Sequence, residues 1–113
     1  MIRLDHKYTT LNEYVNAERS NRYKAAKIKR EEGYITKLLL RGVKPIKTPC
    51  GLRFHWHRTH KRHDLDNIGF ASKFILDAMV DNKIIPNDNL NHITRIEHVY
   101  IKDNKEFVEI EVI

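Results

Sequence analysis

A chain of 113 residues that is 41% hydrophobic and 32% charged has the composition of one folded domain: a second core would not offset its own ordering entropy, and the apolar content is too high for a disordered tail. No apolar run approaches the ~20 residues that span a bilayer, and Met1-Ile2-Arg3-Leu4-Asp5 lacks the apolar core of a signal peptide, so a cytoplasmic location is expected. The net charge of +6 divides unevenly, because residues 1 to 63 hold 16 Lys/Arg against 5 Asp/Glu, a balance of +11, while residues 64 to 113 hold 5 against 10, a balance of −5.

In chain order, Thr10-Leu11-Asn12-Glu13 fits a capping box and predicts a helix start. Leu11, Tyr14 and Val15, then Ala25, Ala26, Ile28, Ile35, Leu38 and Leu39, carry a helical apolar stripe toward Gly42, with a break expected at Ser20-Asn21 or at Gly33. Six cations, Arg19, Arg22, Lys24, Lys27, Lys29 and Arg30, precede the first anion at Glu31, with Tyr23 among them. Such a run is often only a solvated helix face, but this imbalance favours contact with phosphates. Pro45 and Pro49-Cys50-Gly51 mark a loop, and Cys50, the single cysteine, excludes an internal disulfide. Leu52, Phe54 and Trp56 alternate with Arg53, His55 and His57, which predicts a strand whose basic face meets solvent or DNA. Arg58, His60, Lys61, Arg62 and His63 then form a basic edge before Asp64.

Ile68, Ala71, Phe74, Ile75, Ala78 and Met79 have helical spacing, predicting one helix from Asp66 to about Asp81 with Asp66 or Asn67 as N-cap. Pro86-Asn87-Asp88-Asn89 is turn chemistry. The end of the chain reads as a hairpin, Ile93 to Ile101 and Glu106 to Ile113 about a turn at Asp103-Asn104. These elements predict an α+β class: a single small domain with a mixed β-sheet packed against helices.

Asp64 and Asp66, two apart in an extended segment, place both carboxylates on one side, where they can share a cation. Asp88 closes on the same ion if the helix folds the chain back. Mg²⁺, or Mn²⁺, takes one or two carboxylates plus phosphate oxygens, and an ion site would explain carboxylates set inside a protein that binds a polyanion. On an unbroken helix Lys73 returns to within ~20° of the face of Asp66, and Asp77 can pair with it one turn on. Taken alone, Asp64-Leu65-Asp66-Asn67 is also an ordinary helix entry, and Lys73 with Asp77 an ordinary surface pair.

The ordered set goes further. The stretch His63 to Asn89, HDLDNIGFASKFILDAMVDNKIIPNDN, resembles the signature of the RusA-like Holliday junction resolvases, the crossover junction endodeoxyribonucleases: a basic residue, D-x-D-N, a helix with K-x-x-Φ-D-A, and an acidic turn. The resemblance extends to Ser20-Asn21-Arg22-Tyr23-Lys24. It implies a RusA-like homodimer that acts on four-way junctions and other branched DNA in recombination and repair, with no small-molecule cofactor beyond Mg²⁺. It also implies Asp64, Asp66 and Asp88 as metal-binding catalytic carboxylates, Lys73 as the catalytic lysine, and a phage or prophage setting. DNA contacts are expected from Asn21, Arg22, Lys24, Lys27, Arg58, Lys61, Arg62 and His63. The chain departs from the family pattern twice: Lys73 follows Asp66 by seven residues rather than four, and Asn87-Asp88 replaces the usual Asp-Asp. Two other readings compete. One is a non-catalytic basic DNA-binding module; the other is a zinc site from His55, His57, His60 and His63, which no cysteine supports.

Overall fold

The computed structural model describes all 113 residues, Met1–Ile113. The elements are β1 (Ile2–Leu4), α1 (Leu11–Ser20), α2 (Arg22–Leu39), β2 (Cys50–Arg58), α3 (Leu65–Gly69), α4 (Ser72–Asp81), β3 (Ile93–Lys102) and β4 (Phe107–Val112). The α+β expectation holds: a four-stranded mixed sheet in the order β1-β4-β2-β3 carries the helices on one face. No helix is long and apolar enough to cross a membrane.

The helix ends follow from local chemistry. Thr10 forms the full capping box of α1, its side chain accepting from the Glu13 amide while the Glu13 carboxylate accepts from the Thr10 amide. Of the two breaks considered in the first helical stretch, the chain takes Asn21. That residue is extended at φ −170°, donates its amide to Ala17 to close α1, and caps α2 by accepting from the Tyr23 amide at 2.8 Å. Gly33 stays inside α2, which runs on to Leu39 before Gly42, at φ +79°, turns the chain away.

The alternation in β2 sends Leu52, Phe54 and Trp56 inward, where they join Leu4, Val108, Ile110, Ile68, Phe74, Ile75 and Met79 in one core. Each such burial stabilises the fold by ~1.5–3 kcal/mol. The predicted C-terminal hairpin does not form. β3 and β4 lie on opposite sides of β2, parallel and antiparallel to it, so the Asp103–Glu106 segment crosses the end of β2 rather than making a tight turn. On the outer face, charged pairs match the three strands across this order.

Arg53 sits between Glu97 at 2.8 Å and Glu111 at 2.9 Å. His55 meets Glu111 at 3.0 Å, and the ring nitrogens of His57 face Asp103 at 2.9 Å and Glu109 at 2.7 Å. The basic face of β2 is therefore neutralised by its neighbours and is not the free DNA-facing surface expected from alternation. Glu97 and Glu111 fall below the usual carboxylate range, first through hydrogen bonds from Arg53 and His55 respectively. Glu97, Asp103, Glu109 and Glu111 serve this ladder, which accounts for much of the acidity of the second half without any ion.

β1 is the one element that the periodicity missed. Its three residues pair antiparallel with Val108–Ile110 of β4, Ile2 against Ile110 and Leu4 against Val108. β3, ten residues long, is the open edge on the other side of the sheet.

Candidate active site

The segment after β2 turns into α3 with Asp64, at φ −68° and ψ 156°, as the N-cap, in place of the Asp66 or Asn67 expected. The two aspartates are thus not both extended: Asp66 lies in the first helical turn and accepts at 3.0 Å from the amide of Asn67. Asp64 occupies the cap position without capping, since its side chain accepts no cap hydrogen bond. Both carboxylates are exposed and have no cation partner.

Nor is there a single helix from Asp66 to Asp81. At Phe70 and Ala71 the backbone tightens, Ala71 donating to Ile68 and Lys73 to Phe70 across three residues rather than four, and the chain divides into α3 and α4. The ~20° alignment of Lys73 with Asp66 was reckoned on one continuous helix, which the chain does not form. Lys73 instead reaches forward. Its Nζ donates to Asp77 at 3.1 Å and lies 3.7 Å from Asp88 in the turn after α4. The Asp77 hydrogen bond raises the Lys73 pKa, with the Asp88 charge adding to it, so the ammonium stays charged at neutral pH.

No three His, Cys, Asp or Glu side chains surround a common point that could hold a metal ion. Asp64, Asp66 and Asp88 have the hard oxygen donors that Mg²⁺ prefers, but they are not gathered around one point, and Asp88 is engaged by Lys73. The four histidines of the zinc reading form no common site either: His55 and His57 belong to the ladder, and His60 and His63, whose ring centroids lie 5.3 Å apart, face Glu106 and Arg58.

Among the expected DNA contacts, Arg22, Lys24, Lys27, Lys61 and Arg62 are exposed. Lys27 pairs loosely with Glu31 at 3.9 Å, a contact between two exposed groups. Arg58 is different. It is 4% exposed, lies 3.4 Å from Glu106, and donates at 2.9 Å to His63 Nδ1. Its guanidinium is buried, with Nη atoms on Glu106 and His63 and Nε unpartnered, so it fixes the β2 end and His63 rather than meeting a phosphate. Asn21 likewise gives its amide oxygen to the α2 cap.

Two positioning residues join the site. Buried Asn67 accepts at 2.9 Å from the Asn12 amide at the start of α1, tying the helix that carries Asp66 to the first helix of the chain. His98 of β3 accepts from Trp56 Nε1 at 3.0 Å and lies under α3, where a Cβ on Gly69 would meet its ring at 2.9–3.0 Å. Only glycine lets α3 rest that close. Burial lowers the His98 pKa, consistent with a neutral ring accepting the indole proton. The Asn of D-x-D-N and the Gly two residues on were the available sequence signals; nothing marked His98. A scan against protein-family models and a search of curated proteins found no match.

Proposed function

We propose that this protein is a cytosolic, Mg²⁺-dependent, RusA-like endonuclease selective for branched DNA, acting as a homodimer on four-way junctions in recombination or repair. The observation that carries the reading is the contact between Lys73 and Asp88. The two were picked out by motif alone, stand fifteen residues apart in sequence, and lie within ion-pair distance in the fold. Asp64 adds to it, because a residue kept only to cap α3 would use its carboxylate for that purpose, and this one does not.

The resemblance assigns the ion to Asp64, Asp66 and Asp88, whose hard oxygen donors suit it although they do not surround one point here; when bound, it would supply a Lewis acid and an activated water for phosphodiester hydrolysis. The protein's own groups do the rest. Lys73, kept charged by Asp77 and Asp88, places a cation for the phosphoryl oxygens as negative charge grows on them. Lys61 and Arg62, exposed just before Asp64, and Arg22, Lys24 and Lys27 on α2 draw in the DNA backbone. Asn67, seated on the α1 amide, and Gly69, seated on His98, fix α3 so that Asp66 does not wander. A second copy would supply the second cut, and the open edge of β3 is a segment free to pair with it.

The test is incubation with a synthetic four-way junction and a matched linear duplex, each with Mg²⁺ or chelator. Symmetric nicks in the junction only, and only with Mg²⁺, are expected. Binding without cleavage under every condition would instead identify a non-catalytic basic DNA-binding module.

A further inference from the structure

Gly33 has no reason within the fold. It sits inside an 18-residue helix at an ordinary helical φ, and a Cβ built on it meets nothing within 4 Å beyond its own helix backbone. Glycine in a helix interior costs ~1 kcal/mol against alanine, and neither close packing nor a left-handed turn offsets that cost here. What Gly33 does is keep open the floor of a groove of about 490 Å³ between α2 and α4, within the range of small-ligand sites.

The lining of the groove indicates its occupant. Tyr34 stands on its wall, 64% exposed, an aromatic ring that packs into no core. The carboxylates in the lining are already matched, Asp81 by Lys37 at 2.9 Å and Asp77 by Lys73 at 3.1 Å, which leaves Lys29 and Arg30 as cations without an ion-pair partner. An exposed ring, an open apolar floor and two free cations suit a nucleobase with its phosphates and oppose a second cation or an apolar helix. Asp77 joins the groove to the Lys73–Asp88 contact, so its end opens on the candidate active site.

We propose that this groove binds an unpaired nucleotide of a DNA strand, its base stacked on Tyr34 over Gly33 and its phosphates on Lys29 and Arg30. The proposal rests on the nuclease reading for its biological sense: it makes the substrate a branch carrying an unstacked nucleotide rather than a fully paired arm, because a base in a duplex cannot enter the groove.

The experiment measures fluorescence anisotropy with a labelled oligothymidylate of about eight nucleotides, within the range that one single-strand site occupies, and with a paired duplex of equal length. Tyr34→Ala and Gly33→Leu are expected to weaken single-strand binding about tenfold, the loss of one stacked base, and to leave duplex binding within about twofold. Tyr34→Phe keeps the affinity. Gly33→Ala raises the melting temperature by about 4 °C, which checks that the fold gains nothing from the glycine. Wild-type single-strand affinity in both Tyr34→Ala and Gly33→Leu, each folded by its melting curve, overturns the proposal. So does an equal loss on single strand and duplex, which marks a phosphate contact alone, and so does displacement of the probe by polyglutamate at lower concentration than by unlabelled oligothymidylate, which marks an acidic protein partner. Junction cleavage measured alongside separates the two claims. Cleavage with unaltered single-strand binding sinks the groove alone, whereas a Tyr34-dependent single-strand site in a protein that never cuts sinks the nuclease reading alone.

Discussion

Replacing Asn67 by Ala removes the acceptor that ties α3 to α1. Asn67 is 7% exposed, and its Oδ1 takes the Asn12 amide proton at 2.9 Å. A hydrogen bond of this kind contributes a net ~1 kcal/mol, and the penalty for an orphaned buried donor, ~1–3 kcal/mol, is added only where water cannot reach it. Asn12 is an exposed residue in the first turn of α1, so water can take over its amide and the lower figure applies. A 113-residue domain has an unfolding entropy of about 0.24 kcal/mol/K, so the variant should melt about 4 °C lower. If the tether positions Asp66, cleavage of a four-way junction should fall by roughly tenfold to a hundredfold, the scale of a misplacement near 1 Å. Asn67→Asp is the control, since its carboxylate accepts from the same amide and should retain the melting point. Thermal denaturation followed by circular dichroism and single-turnover cleavage provide both numbers. A lowered melting point with wild-type cleavage would show that the bond holds the fold and not the site, and a loss above about 3 kcal/mol would refute the estimate itself.

Other outcomes follow from the same geometry. Lys61→Ala should weaken DNA binding and lower the salt slope by roughly one unit, as one lost phosphate contact does, while Arg58→Met should leave the slope alone and cost about 1–2 kcal/mol in a urea titration, because Glu106 loses one cation but keeps the Thr59 hydroxyl and its contacts with Lys7 and His60. Lys73→Met should slow cleavage more than tenfold with a change below about 1 kcal/mol in stability, because the lysine side chain is 60% exposed. For Glu32, burial works to raise the pKa, but hydrogen bonds from His6 and the Thr9 amide prevail and hold it below the ordinary 4.5. A depressed carboxylate pKa gives stability that is present above the unfolded value and lost as pH falls through the folded one. Glu32→Gln should therefore cost about 2 kcal/mol at pH 7, the scale of a charge-assisted hydrogen bond, with the gap in urea midpoint closing as pH drops below about 4.5. A gap that persists at acid pH contradicts the assignment.

Local signals in the sequence were sound where a single residue decides the geometry. Thr10 and Glu13 formed their box, Asn21 broke the helix, and Leu52, Phe54 and Trp56 went inward. Burial of Arg58 was legible too, since it continues the inward alternation of those three, but its charge suggested the surface. Strand neighbours were not legible from turn chemistry: Asp103-Asn104 suits a hairpin, and only the match of Arg53, His55 and His57 to Glu97, Glu109 and Glu111 reveals that β2 lies between β3 and β4. Three residues of β1 are too few to show a period. The split of α3 from α4 has no proline to announce it, and Lys73 lies beside Asp88, a partner that sequence spacing alone could not choose.

The most direct test of the nuclease claim compares wild type and Asp66→Asn on one labelled four-way junction in Mg²⁺, reading cleavage and binding together. The Asp66 carboxylate makes no structural bond except to the next amide, so the variant should fold, bind the junction as tightly or more tightly, and fail to cut it. An Asp66→Asn protein that still nicks the junction at the wild-type rate, or one that folds but no longer binds it, contradicts the account.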